Sequence, residues 1–481
     1  MRAPAWVHRL IPHRQSGLWV GAESLMGAFV SFCGLVLIAR MIGPEAAGTG
    51  AVATSIFLLL DLPIGALFGD SLLQRRALEE RHRSSAFWAT LIVAALVASA
   101  LFVVAPFVAA AVGTQEVAAM LRVLAWLLPL SGAAGLLAAL ALRERRYRLL
   151  ASRALLCQPL AIAAGAGVAQ AGGGAWALVA QQGTATALVV LLLALHTSWR
   201  PRLSLPRRVD LADLWPVAGP QILAMILLSA RYRLFVAVLG VLADEAVVAV
   251  THVAFRFVEV VASIVSGAVS RLAMPRLAAL QHDRRALAEA YGDLAQLQAL
   301  LAMPAAAGLA IVAPRLIDLL LGPAWSAAAE PARLLALGVC LTALVGPTGA
   351  LWLAVARTRV SFLMQLLSTG LPLSALVLLA PDDPYGAALC WVFGAVVVVP
   401  LQGAMALRQL GHSLRWLAIC LAPALAGTVA LIATAVPVLA WTAAAPPWFS
   451  LIAVVVAGAA GFLAGAVLVL GGRRPRAFQA I

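Results

Sequence analysis

The chain has 481 residues, of which 63% are hydrophobic and only 11% charged, and its mean hydropathy is +0.99. Those proportions exclude a soluble protein of several ordinary domains and define a polytopic, all-α membrane protein. All 34 basic residues are Arg against 20 acids, a net charge of +14. The arginines fall between apolar runs, so the basic balance reads as membrane topology and not as a nucleic-acid partner.

A membrane helix needs about 20 apolar residues. Runs bounded by Arg, Pro and Trp place spans near 17–41, 46–74, 86–112, 119–142, 154–172, 174–197, 216–242 and 246–273. Six more follow near 296–321, 330–356, 360–380, 385–408, 416–441 and 448–471, for about fourteen in all. The basic segment before Gly17 precedes an apolar run too long for a cleaved signal, which reads as an uncleaved first span. With the N-terminus in the cytoplasm, the alternate loops and both tails carry 27 of the 34 Arg. This positive-inside bias predicts that both termini are cytoplasmic. Loops on the opposite side are short Gly, Pro and acid turns such as Pro381-Asp382-Asp383-Pro384, too small for the external loop that glycan polymerases generally need.

Two polar stretches interrupt the pattern. His196 to Trp215 divides the first six spans from the next six and is expected to be a solvated or headgroup-facing linker. Pro275 to about Gln296 is expected to form an amphipathic helix on the membrane surface. The expected organisation is an N-lobe at 1–197, a linker at 198–215, a C-lobe at 216–410, and two appended spans with a basic tail at 411–481. Glu45-Ala46 and Glu245-Ala246, 200 residues apart, are a short echo of that repeat. In the last span Gly461 and Gly465, four residues apart, offer a close helix contact.

An ionisable group in hydrocarbon costs several kcal/mol unless it meets a partner or a wet cavity, so each is a functional candidate. His252, Arg256, Glu259, Ser263 and Ser270 fall on one face of span eight, as a cavity wall requires. The competing structural reading is an Arg256–Glu259 pair that only locks helices. Span seven contains Gln221, Ser229, Arg231, Tyr232 and Arg233, and Arg231 and Arg233 point to nearly opposite sides of a helix. Glu23 with Gly27 and Gly34 in span one, and Asp61 with Thr54 and Gly65 in span two, are candidate proton- or ion-coupling carboxylates. Either can instead cap or pair locally. The five cysteines lie far apart in apolar stretches and read as buried hydrophobes. No nucleophile elbow, paired-carboxylate motif, phosphate-cradling loop followed by Lys or metal-ligand spacing is present, so no catalytic residue, metal or cofactor is expected.

Several segments carry a family resemblance in order and at regular spacing. Ile38-Ala39-Arg40-Met41-Ile42-Gly43-Pro44-Glu45-Ala46-Ala47-Gly48 and Leu60-Asp61-Leu62-Pro63-Ile64-Gly65 lie early in the chain. Gly174-Ala175-Trp176-Ala177-Leu178-Val179-Ala180-Gln181 and Trp199-Arg200-Pro201-Arg202 mark its centre, followed by Ala254-Phe255-Arg256, Pro275 and Gly322-Pro323-Ala324-Trp325. Together they resemble Wzx-type oligosaccharide flippases, the polysaccharide-export branch of the MOP superfamily that also includes MATE exporters and lipid II flippases. The resemblance runs from about residue 17 to 410. It departs in span seven, where Tyr232 stands before Arg233 in place of the family's usual Asp.

The resemblance implies a V-shaped, two-lobed helical transporter of the bacterial inner membrane. Its cargo would be an undecaprenyl-diphosphate-linked oligosaccharide, carried to the outer leaflet for exopolysaccharide, capsule or lipopolysaccharide synthesis. Membrane lipids, a polysaccharide polymerase and export machinery are the further partners it implies. Arg holds diphosphate oxygens by bidentate hydrogen bonds, which selects Arg231, Arg233 and Arg256, with His252 and Glu259 beside them and Arg40 at the outer rim, as substrate-binding candidates. The alternative is a MATE-like exporter of cationic drugs, which calls for a cavity dominated by carboxylates and aromatics. A glycan polymerase or acyltransferase, and a purely structural scaffold, are the remaining readings.

Overall fold

Hydrocarbon offers no partner to a backbone N–H or C=O, so an apolar chain must satisfy those groups within helices. A computed structural model describes residues 7–75, 78–197, 199–202 and 205–471, and among them there are helices and turns but no strand. Chain contacts divide the protein into two compact units, one ending at Ala249 and the other beginning at Val250.

The first unit opens with α1 (Val7–Ala66), whose 60 residues span about 90 Å at 1.5 Å per residue, three times the hydrocarbon thickness. It is two spans joined at Gly43, where φ of 77° and ψ of 173° break the helix at a conformation open to glycine. There follow α2 (Gly69–Gln74), α3 (Glu80–Val112), α4 (Glu116–Ala125) and α5 (Leu127–Arg143). Short α6 (Tyr147–Ser152) leads through a π-turn at Arg153–Cys157 into α7 (Gln158–Gln170), then α8 (Trp176–His196) and α9 (Arg208–Leu242). α4 and α5 are one expected span interrupted at Trp126, three residues before Pro129. α10 (Glu245–Ala279) starts in the first unit and continues into the second.

The second unit adds α11 (Arg284–Leu321), α12 (Ala329–Ala343), α13 (Thr348–Ala354), α14 (Thr358–Leu379), α15 (Pro384–Leu410), α16 (Leu414–Trp441) and α17 (Pro447–Leu470). Asp383 starts α15 by accepting from the Gly386 N–H, and Ser413 starts α16 by accepting from the Trp416 N–H. α16 and α17 meet through the expected glycines. A Cβ on Gly461 would lie 2.7 Å from the Ala430 carbonyl and one on Gly465 2.7 Å from the Ala426 carbonyl. The Thr434 hydroxyl donates across the same seam to Ala457 O at 3.0 Å.

Among the described residues twelve helices are long and apolar enough to cross a membrane, against the fourteen expected. One of the twelve, Phe29–Gln74, includes expected span two and most of span one. α9, which covers expected span seven and carries Arg231 and Arg233, is not among the twelve.

Two expectations are corrected. Residues 283–296 are not a separate surface helix. Asp283 caps α11, accepting from the Arg285 and Ala286 N–H groups at 3.0 Å each, and the segment is its first turns. Its apolar face, Leu287, Tyr291 and Leu294, is buried against Trp352, Leu407 and Leu417, so protein rather than lipid covers it.

The described part of the stretch after His196 is not a solvated linker either. Trp199 is buried and its Nε1 donates to Glu80 at 2.8 Å, while Trp88 Nε1 donates to Arg202 O at 2.7 Å. Ser85 donates to the buried Asp210 at 2.8 Å, and Ser71 to Leu214 O at 3.0 Å. Arg75 pairs with Asp213 at 2.9 Å, and His82 Nε2 lies 3.5 Å from the same carboxylate. The start of α9 is thus fastened to α2 and α3.

Arg75, and after it His82, holds the Asp213 carboxyl below its ordinary value. A depressed carboxyl stabilises the folded state above its unfolded value and loses that contribution as pH falls through the folded one. A spin label at Arg207→Cys is therefore expected to gain mobility on acidification through and below the carboxylate range. An unchanged pH response in Asp213→Asn would refute the assignment.

Candidate functional site

In the first unit α1 packs against both α5 and α9. Asp61 and Gly65 are one turn apart on α1, and Ser131 and Gly135 one turn apart on α5. A Cβ on Gly135 would overlap the Gly65 carbonyl, so the two backbones touch there. That contact sets Ser131 against the turn of α1 that carries Asp61 and Gly65, its hydroxyl 3.9 Å from a Cβ placed on Gly65. Asp61 Oδ1 is buried without a hydrogen-bond partner.

Arg231 and Arg233 are both half-buried, and the Nε of Arg231 is sealed from solvent. Tyr232 between them is half-buried as well. Arg40 is exposed three residues before the break at Gly43. The backbone of Glu23 lies in α1, but its side chain is outside the described residues, as are those of Gln221 and Ser229. The structure sets Ser131 of α5 against the Asp61–Gly65 turn of α1, and Ser131 is a residue that the sequence did not single out. Seventy residues separate Asp61 from Ser131, and only the packing register of two helices reveals the pair.

In the second unit His252, Arg256 and Glu259 follow one another along α10. Arg256 Nη1 donates to Glu259 Oε2 at 2.7 Å, with side-chain exposures of 28% and 54%. His252 is half-buried. The exposed Ser263 donates to Val260 O at 2.9 Å within its own helix, and the Ser270 side chain is outside the described residues. Phe255 packs edge-on against Trp391 of α15 at 4.7 Å, which fixes the rotation of α10 and the direction of Arg256 beside it. Among the described residues no His, Cys, Asp and Glu group could hold a metal.

The same arrangement of helices occurs in solved structures. The chain is similar to the lipid II flippase MurJ in an inward closed conformation, with a TM-score of 0.76 at 10% identity over 95% of this chain and 99% of that one. It is also similar to an inward-facing MATE multidrug resistance transporter of the MOP superfamily, with a TM-score of 0.64 at 14% identity over 82% and 98% of the two chains. At such identities these likenesses establish the fold alone: a polytopic helical protein of MurJ and MATE type.

The family follows from the sequence. Residues 37–330 match the family described as "Polysaccharide biosynthesis protein", and the chain belongs to it. The succinoglycan biosynthesis transport protein ExoT of Rhizobium meliloti (strain 1021) is 27% identical over 318 residues. That match covers 65% of this chain and 64% of ExoT, just under two thirds of the relative's length.

The Gly65–Gly135 contact is open to test. Gly135→Ala drives a methyl into a carbonyl and is expected to cost about 1–3 kcal/mol, the usual range for overpacking, seen as a lower thermal midpoint. Gly69→Ala, whose Cβ would meet Ala139 Cβ at an ordinary 3.5 Å, is the control and should leave the midpoint in place. Equal midpoints for the two variants would refute the close approach.

Proposed function

We propose that the protein is a flippase that moves undecaprenyl-diphosphate-linked oligosaccharide repeat units across the bacterial inner membrane by alternating access, for exopolysaccharide, capsule or lipopolysaccharide synthesis. The observation that carries this reading is membership of the polysaccharide biosynthesis family by a chain that puts arginines in the middle of its helices: Arg231 and Arg233 in α9, Arg256 in α10. Such a cargo has an anionic diphosphate, a polar glycan and a long apolar tail. Guanidinium groups match the diphosphate in charge and geometry, and the tail can remain in lipid.

Arg231, Arg233 and Arg256 are the proposed anion-holding groups, with Glu259 and His252 tuning Arg256 and Arg40 on the release side. Asp61 and Glu23 are the proposed coupling carboxylates. No residue is assigned a catalytic role and no cofactor is invoked. Residues 1–197 and 216–410 are the proposed lobes around the linker at 198–215, with both termini in the cytoplasm. Membrane lipids surround the helices, and a polysaccharide polymerase and export machinery are the proposed next partners.

The MATE-like fold keeps a second reading in play, the export of organic cations. Cations need a carboxylate-rich site, whereas Glu259 is already paired with Arg256 at 2.7 Å.

Reconstituted in proteoliposomes, the wild type is expected to flip a fluorescent undecaprenyl-diphosphate oligosaccharide. Arg256→Ala and Arg233→Gln should each slow it by about ten- to hundredfold, the equivalent of one charge-assisted hydrogen bond. Export of a cationic dye with no glycolipid movement would replace this reading by the second.

A further inference from the structure

Three membrane helices of the second unit line a cavity that the proposed transport residues do not touch. It has a volume of about 470 Å³ and lies between α11, from Pro304 to Val312, α16, at Leu431 and Ala435, and α17, from Val454 to Leu463. Every residue that lines it is apolar. Val455 and Leu463 on its rim are exposed, so it opens at mid-helix, where the surroundings are hydrocarbon. A Cβ added to Gly308 would meet nothing within 4 Å, and the glycine leaves the width of the slot clear.

At one end the apolar lining gives way to charge. Arg315 is half-buried and stands one turn beyond Ile311 and Val312 on the same face of α11. Its Nη1 donates to Thr442 Oγ1 and its Nη2 to Leu439 O, each at 3.2 Å. Thr442 and Ser450 are buried with their hydroxyls 2.7 Å apart, which holds that acceptor in place. These bonds use two of the five guanidinium N–H groups and bring no negative charge. Among the described residues no carboxylate pairs with Arg315. Asp318, exposed, follows one turn further along the helix, and it makes no ion pair there either.

The depth of these groups fits the membrane. Exposed Trp441 and Trp448 beside Thr442 and Ser450 mark the level of the headgroups. From Pro304 to Arg315 α11 advances about 16 Å, close to the hydrocarbon depth of one leaflet, about 15 Å. From the bilayer centre outward α11 therefore presents an apolar slot one leaflet deep, a cation, and a carboxylate about 4.5 Å beyond it. A phospholipid with a primary amine has the complementary order of acyl chain, phosphate and ammonium. A cation in a membrane helix is costly without a counter-charge, and an unfilled slot forfeits packing contacts, so one such lipid meets both needs.

We propose that α11, α16 and α17 form a site for one phosphatidylethanolamine molecule, with an acyl chain in the slot, the phosphate on Arg315 and the ammonium on Asp318. On the proposed topology it is a lipid of the outer leaflet. It ties the appended pair α16 and α17 to α11, and it stands apart from the cargo, whose identity does not enter the argument.

The full chain, stripped of lipid in detergent, is titrated with single phospholipids and the adducts are counted by native mass spectrometry. The wild type is expected to take one phosphatidylethanolamine about tenfold more tightly than phosphatidylglycerol, which has no amine, or phosphatidylcholine, whose amine has no N–H to donate, the worth of one charge-assisted hydrogen bond. Arg315→Gln should weaken that adduct about tenfold, with part of the loss restored in Arg315→Lys. Asp318→Asn should abolish the preference for the amine and keep the binding. Gly308→Leu, which fills the slot from a position with open space, should remove the tight adduct, whereas Gly308→Ala should keep it.

The wild-type preference needs no variant, and phosphatidylethanolamine should raise the thermal midpoint of the wild type and leave that of Gly308→Leu in place. A wild type that does not distinguish the three lipids, or a tight adduct that survives Gly308→Leu, would overturn the site. Tighter binding of farnesyl phosphate than of phosphatidylethanolamine would overturn it as well and give the slot to an isoprenoid chain.

Discussion

The constraint on which everything else rests is that hydrocarbon cannot solvate a polar group. It forces the backbone into helices, and it leaves those helices without a hydrophobic force to press them together, because lipid tails are as apolar as leucine. Close packing has to supply the adhesion. Gly461 and Gly465 bring α17 onto the carbonyls of α16, and Gly135 brings α5 onto the Gly65 carbonyl of α1. In the first case the result is an appended helix pair. In the second the same device has a further consequence, since it sets the Ser131 hydroxyl against the turn of α1 that carries Asp61.

That constraint also sorts the charges. Most of the arginines lie at helix ends, where they hold chain segments together. Arg143 donates to the Leu72 and Leu73 carbonyls, and Arg284 to those of Arg408 and Gln409. Arg315 caps the end of α16 through Leu439 O and Thr442. These contacts are explained by the fold. Arg231, Arg233 and Arg256 sit in the interior of α9 and α10, away from the helix ends.

Span limits were legible in the sequence because the markers of a helix end are local. Expected 385–408 became Pro384–Leu410, set by Asp383 before it and Gly411 after it, and expected 448–471 became Pro447–Leu470. What the sequence did not show are relations across the chain. The stretch around Trp199 looked solvated because its partners, Glu80, Ser85 and Trp88, are more than a hundred residues away. The start of α11 looked like a surface helix because an amphipathic face reads the same whether lipid or Trp352 covers it. The site followed the same rule. Arg256 and Glu259, three residues apart, could be paired on paper, whereas Asp61, Ser131 and Arg233 could be named or missed only one at a time.

The proposed function, an anion carried on arginine, requires a protein that is stable both loaded and empty, and the energetic difference between those states would decide whether it cycles. Strong permanent pairing of the arginines would favour the empty state, and bare arginines would favour the loaded one. In the second unit a half-buried Arg256 already holds the Glu259 carboxylate at 2.7 Å. On the proposed function, a carboxylate one turn from the arginine is what a departing diphosphate would leave it with, and capture is balanced against release without any group that reacts.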